Sequence, residues 1–340
     1  MKSPKRNRAG QLILLTTVIA TLLTACGGGS APTGTEQAAE SNESAQAGLH
    51  TKENQRETSA QSTTRSFTDW SGHTVEVPTN PQRIIYHGET TGDLLALGVM
   101  PKGILKLSIV GTSYEDQLSG STDIGFPFSV EKAMEVEPDL IIIANNDESV
   151  YSQVSKIAPT VTFDSFAPLK ERMTVLGDLL GKKEEAAKWI QRYTDKETAM
   201  WKTIRDQGAK PDETASVFTM YPGNRLFVMI STGLPQLLYG ELGFKPVPPV
   251  KDILKSDRGF MEISPEKLPE YAGDRIFVLK PIDQAAQKDS DELLKSKVWN
   301  QLPAVKNGQV YEVDINKVNS DATSREWLIS ELPRLLQHES

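Results

Sequence analysis

The chain has 340 residues, a formal net charge of −8 at neutral pH, 24% charged and 38% hydrophobic side chains, and one cysteine. The acidic excess argues against nucleic acid or an anionic lipid surface as a partner, since both call for basic patches. A single cysteine excludes an internal disulfide, which a chain of this length can do without because its core is large enough.

Lys2, Lys5, Arg6 and Arg8 open the chain, followed at residues 12–23 by an apolar run broken only by threonines. That run falls short of the ~20 residues of a membrane span and suits the apolar region of a signal peptide. It leads through Leu23-Thr24-Ala25 to Cys26, in the pattern of a bacterial lipobox. Residues 1–25 are therefore expected to be removed and Cys26 to carry lipid. Removing the four basic side chains takes the remainder from −8 to −12, so lipid rather than charge would hold it at a membrane. Residues 27–66 are rich in Gly, Ser, Thr, Ala, Gln and Glu, with Leu49 the only large aliphatic side chain. Such a stretch cannot bury enough apolar surface to offset the entropy of ordering. It reads as a disordered tether with a reach on the order of 35 Å.

From residue 67 the pattern changes. FTDWSGHTVEVP (67–78) alternates about a Ser-Gly turn and predicts a β-hairpin. Strand and helix signals then alternate through RIIY (83–86), DLLALG (93–98), GILKL (103–107), a helix from Ser129, DLIIIA (139–144) and TVTF (160–163). This is the rhythm of βα units on a largely parallel sheet. Residues 182–207 contain no proline or glycine and carry Ala186, Ile190, Tyr193, Trp201 and Ile204 near helical spacing. Acidic residues open this helix and Arg205 lies near its end, as the helix dipole prefers. A helix of that length, roughly 40 Å, could cross from one lobe to another. ASVFTM (215–220) and RLFVMI (225–230) read as a second hairpin, turning at Pro222-Gly223-Asn224. After them come a helix ending in GELGF (240–244), the strands RIFVLK (275–280) and QVYEVD (309–314), and a helix from about Thr323.

Two segments 135 positions apart are alike. EKAMEVEPDLIII from Glu131 and EKLPEYAGDRIFV from Glu266 share Glu131/Glu266, Lys132/Lys267, Glu135/Glu270, Asp139/Asp274 and Ile141/Ile276. A single recurrence at this separation, together with LALGV in the first half and GELGF in the second, points to two similar lobes flanking the long helix. The expected fold is α/β: two lobes with central, mainly parallel β-sheets joined by one long backbone α-helix. The expected division is 67–181 for the first lobe, 182–208 for the helix and 209–340 for the second lobe.

Signatures of catalysis are missing. The four histidines, His50, His73, His87 and His338, have no zinc-site spacing. The sequence contains no GxSxG, Walker or GxGxxG motif. The expectation is a protein that is not an enzyme and holds neither a resident cofactor nor a directly bound metal.

The lipobox, the tether, PQRIIYHGETTGDLLALGV (81–99), TDIGFPFSVEKAMEVEPDLIII (122–143), the long helix and VWNQLPAVKNGQVYEVD (298–314) together resemble one family. It is the helical-backbone, periplasmic-binding-protein-like class of ABC-importer substrate-binding proteins, in its iron-siderophore and cobalamin branch. The likeness covers roughly residues 66–337. It implies a monomeric lipoprotein on the outer face of the cell membrane, similar to Gram-positive members. Such a protein would capture a ferric siderophore and hand it to a permease dimer. It also implies that one exposed glutamate on each lobe docks onto the permease, here Glu131 and Glu266, where arginine pockets would receive them bidentately.

The ligand would lie between the lobes, at the carboxyl ends of strands. The candidates are Tyr86, His87, Glu89, Asn145, Asn146 and Arg172 in the first lobe. Tyr221, Arg225, Ser231, Thr232 and Lys280 are those of the second. Arg and Lys would meet an anionic, oxygen-rich chelate with charge-assisted hydrogen bonds, and Tyr would add flat contact. Hydroxamate-binding lipoproteins of this family often carry Trp and Arg after the second hairpin, whereas this chain has ISTGLPQ (230–236). Ferric carboxylate chelates and ferric citrate therefore stay open. So do haem, with His87 or Tyr86 as axial ligand, cobalamin, and an anchored enzyme on the same fold.

Overall fold

The computed structural model describes residues 63–255 and 258–337. The signal segment, Cys26 and most of the tether lie outside the described residues. So do His50 and His338.

The first hairpin pairs β1 (Thr64–Thr68) with β2 (Thr74–Pro78), antiparallel, as its alternation predicts, and begins three residues before Phe67. It packs on the first lobe through its turn. Trp70 N–H donates to the Thr162 carbonyl at 3.4 Å, and the buried Asp69 carboxylate accepts Thr162 N–H at 2.8 Å.

That lobe is a five-stranded, wholly parallel sheet, ordered β5 (Thr122–Asp123), β4 (Gly103–Ile104), β3 (Ile84–His87), β6 (Leu140–Ile143) and β7 (Thr160–Thr162). Its central strands IIYH and LIII are buried at every position. Continuous apolar runs are what a sheet covered on both faces requires. GILKL makes a strand of two residues only. The Asp123 carboxylate takes the Lys106 N–H at 3.2 Å, and a 3-10 turn, Lys106–Ile109, follows. Helices α1 (Gly92–Ala96), α2 (Val130–Val136), α3 (Glu148–Val154) and α4 (Leu169–Leu179) belong to this lobe.

The long helix exists as α5, Lys183–Asp206, whose 24 residues span about 36 Å. It buries Ala186, Trp189, Tyr193, Met200, Trp201 and Ile204 along one stripe. Its first half packs closely on α4, where a Cβ added at Gly177 would meet the Ala186 Cβ at 2.4 Å. In its second half, Trp201 meets Phe244 edge to face at 5.3 Å. One continuous apolar core thus runs from Ile84 and Leu140 through α5 to Val217 and Phe277.

The second lobe has a mixed sheet of six strands in the order β11 (Phe260–Ile263), β9 (Arg225–Met229), β8 (Thr214–Tyr221), β12 (Arg275–Lys280) and β13 (Val310–Asp314), with β10 (Lys245–Pro246) beside β8. β8, β12 and β13 are parallel, while β9 runs against both β8 and β11. The second hairpin turns as expected, with Gly223 and Asn224 at φ 90° and 58°. The helix expected to run into GELGF is a short one, Leu234–Leu238. β11 had no counterpart in the sequence reading. The C-terminal helix, Ala322–Leu335, packs against α1 of the first lobe and against the joining helix α5.

Both copies of the repeat lead from helix into strand, the first as a single α-helix, Val130–Val136, and the second as a 3-10 turn, Pro265–Lys267, followed by a short α-helix, Leu268–Tyr271. Asp139 accepts the Gln82 and Arg83 N–H groups at 2.7 and 2.9 Å at the entrance to β3. Asp274 accepts Thr214 N–H and its hydroxyl at 2.8 and 2.7 Å at the entrance to β8. Each aspartate therefore ties its own strand to the neighbouring one.

Candidate functional site

A cleft of about 350 Å³ receives side chains from both lobes. The first lobe supplies Glu89 and Thr90 after β3, and Ser165 and Phe166 after β7, at the carboxyl ends of parallel strands. From the second lobe come Tyr221, Met229 and Phe260, which share one face of the sheet, as strand alternation and the β9–β11 register require. Residues 315–320 after β13 close one side. Phe166 is 60% exposed, Phe260 51% and Tyr221 44%. Three large aromatic surfaces facing solvent in one concavity make it the candidate site, because each offers wide apolar contact at little entropic cost. Phe227 backs two of them, its ring 5.0 Å from Tyr221 and 5.8 Å from Phe260. Two concavities of about 430 Å³ lie elsewhere, one under the first hairpin beside α4 and one lined from Lys210 to Gln309. Each draws on a single lobe.

The cleft wall is braced from behind. Gly233 has φ +64°, and a Cβ there would meet the Val318 carbonyl oxygen at 2.4 Å, so glycine is required. Its N–H donates to Ser320 Oγ at 2.7 Å, and its carbonyl accepts Arg325 Nη1 at 3.3 Å. Arg325 Nη2 in turn donates to Tyr193 Oη of α5 at 3.0 Å.

Of the ligand candidates read from sequence, Tyr221, Thr232 and Glu89 line the cleft. Others do not. Tyr86 is fully buried, and its hydroxyl sits 2.6 Å from Thr90 Oγ1, so it positions Thr90 from within the core; burial and the nearby Asp93 push its ionisation up. His87 is also buried, with Nε2 2.8 Å from the Gly125 carbonyl and its ring edge to face with Phe128. Neither presents an axial ligand to the cleft. Asn145 is half-buried and accepts Asp147 N–H at 3.1 Å before α3.

Arg172 is the clearest correction. Its side chain has no exposed surface, because Nε donates to Asp93 Oδ2 at 2.8 Å and Nη2 to the Ser320 carbonyl at 2.6 Å. It therefore stands one residue behind the cleft. Arg225 shares the sheet face with Tyr221, but its guanidinium is bound to Glu262 at 2.7 Å and lies over Phe227. Lys280 pairs with Glu312 at 2.7 Å beside a separate hollow of the second lobe. Sequence reasoning missed Phe166 and Phe260. The first follows a strand that was read correctly, and the strand-end rule applied to DSF (164–166) would have found it.

Glu131 and Glu266 are both exposed. Each follows a serine by two positions. Ser129, which caps α2, donates its hydroxyl to Glu131 Oε2 at 3.1 Å. Glu266 is held by its own N–H and by the Ser264 hydroxyl, which together lower its pKa below the ordinary glutamate value. The two carboxylates are thus presented by equivalent local devices. Among the described residues there is no His/Cys/Asp/Glu cluster able to hold a metal ion, and no helix long and apolar enough to cross a membrane.

Comparison with known proteins agrees with this architecture. The family model described as periplasmic binding protein matches residues 84–316. The chain is 30% identical over 247 residues to the iron(3+)-hydroxamate-binding protein YxeB of Bacillus subtilis, covering 71% of this chain and 75% of that one. It is also 30% identical to the iron(3+)-hydroxamate-binding protein FhuD of the same organism, over 71% of this chain and 76% of the relative. Staphylococcus aureus SirA complexed with staphyloferrin B superposes with a TM-score of 0.71 at 27% identity, over 81% of this chain and all of SirA. The chain belongs to the periplasmic binding protein family.

Proposed function

We propose that this chain is a lipid-anchored binding protein that captures a ferric siderophore between its lobes and delivers it to an ABC importer. The observation that carries the reading is the two-lobed cleft, in which Phe166, Tyr221 and Phe260 stand exposed beside the hydroxyls of Thr90, Ser165 and Thr232. Flat apolar faces with a few fixed polar groups suit a bulky chelate that has already satisfied its iron. The siderophore supplies the iron ligands, so the protein needs none of its own. The siderophore-related names of the relatives support the same reading, as does the lack of catalytic motifs for a role without turnover.

Lipid on Cys26 would anchor the chain outside the membrane, with residues 27–66 as its leash. Glu131 and Glu266, one on each lobe, are the proposed docking carboxylates for a permease dimer. The shared core through α5 would restrict the lobes to modest closure. The test is radio-iron uptake by cells carrying Glu131→Lys and Glu266→Lys together, with chelate affinity measured in parallel. Uptake should be lost and affinity retained. Loss of affinity would refute the docking role. Cys26→Ala should release the protein from the membrane fraction.

A further inference from the structure

The cleft's charge carries a further inference, which rests on the siderophore reading above. Among the described residues that line the cleft, Glu89 is the only side chain charged at neutral pH. It is exposed, and its Oε2 accepts a hydrogen bond from the buried Ser165 hydroxyl at 3.0 Å, which holds the carboxylate at the cleft. None of the three cations expected from sequence to meet an anionic chelate lines the cleft: Arg172 is paired with Asp93 inside the core, and Arg225 and Lys280 pair with Glu262 and Glu312 at the surface. Lys317 lies in the same turn as Ile315 and Val318 but is not part of the lining.

We propose that the cleft selects ferric chelates of zero or positive net charge, and that Glu89 sets this preference. Three singly ionised hydroxamates balance ferric iron, and a pendant ammonium makes such a chelate cationic. Catecholate and carboxylate chelates remain anionic. An anion brought against Phe166, Tyr221 and Phe260 loses hydration without gaining a counter-charge. It also meets the negative faces of aromatic rings, which attract cations instead. Glu89 adds like-charge repulsion for an anion and attraction for an ammonium. The names of the relatives divide between hydroxamate and staphyloferrin ligands, so the choice has to come from this chain's own residues.

The test compares chelates that share an iron centre and differ in charge. Calorimetric titration of the full chain would use ferrioxamine B, which bears an ammonium, its N-acetylated neutral form, and ferric citrate. The cationic form should bind up to about fivefold tighter than the neutral one, as expected for an exposed charge pair, and ferric citrate weakest. Glu89→Gln should bring the cationic-to-neutral ratio to about one, and Glu89→Lys should invert it. Tightest binding of ferric citrate, or a ratio indifferent to Glu89→Gln, would overturn the charge assignment and leave the siderophore reading standing. Failure of all three, and of a ferric catecholate and ferric staphyloferrin B titrated in parallel, would overturn the siderophore reading itself.

Discussion

The Asp93 carboxylate accepts Arg172 Nε at 2.8 Å, and neither side chain has any exposed surface. Asp93 Oδ1 also accepts Ala322 N–H at 2.7 Å, and Arg172 reaches the Ser320 carbonyl. One buried ion pair thus holds α1, α4 and the start of the C-terminal helix together behind the cleft. Arg172→Met leaves Asp93 buried without its counter-charge and should cost about 3–5 kcal/mol in denaturant unfolding. Replacing both partners with apolar side chains of similar volume should cost less. A loss under 1 kcal/mol for the single variant, on the order of an exposed pair, would show the pair to be unimportant.

Asp321 lies beside this pair, fully buried, and accepts Ser324 N–H at 2.9 Å and the Tyr114 hydroxyl at 3.1 Å. Burial first, and then the neighbouring Asp93, raise its pKa from 3.8 to about 6. With the folded value above the unfolded one, its contribution is present in full below about pH 4 and is lost as pH rises through about 6. Asp69, Asp123 and Asp274, whose values are lowered, act in the opposite sense. The informative quantity is therefore the difference between wild type and Asp321→Asn. Relative to the variant, wild type should lose stability between about pH 4 and 6, by at most about 3 kcal/mol. Parallel stability curves for the two proteins would contradict the assignment.

His73 fastens the first hairpin to α3. Its Nδ1 lies 3.0 Å from Asp69 Oδ2, its Nε2 lies 3.1 Å from Glu148 Oε2, and its ring stacks on Tyr151 at 3.8 Å. The hydrogen bond to Asp69, with a smaller contribution from Glu148, raises its pKa above 6.5. The stabilisation is complete below the unfolded value and is lost as pH rises through the higher folded one. An NMR titration should show the raised value in wild type and a lower one in Glu148→Gln. Identical titrations would remove Glu148 from the account.

Asp139 and Asp274 show how much of the fold was legible in the sequence. Their identity in the repeat was visible, and the structure gives its cause: each accepts two hydrogen bonds where an adjacent strand begins. Asp139→Ala and Asp274→Ala should each cost about 1 kcal/mol, since water can reach these donors, and thermal unfolding will measure it. The stripe of α5 was legible for the same reason, because helical spacing is a local property. Tyr86, His87 and Arg172 were misplaced because burial is not local. A strand covered on both faces hides even its last residues, and the partner of Arg172 lies 79 positions away. Phe260 escaped notice because β11 has four residues and no clear alternation.

The most direct test of ligand capture between the lobes is calorimetric titration with a ferric trihydroxamate. Wild type should be compared with the triple variant Phe166→Ala, Tyr221→Ala, Phe260→Ala. The account predicts saturable one-to-one binding that weakens by at least about tenfold when the three exposed rings are removed. Unchanged affinity in the variant would contradict it.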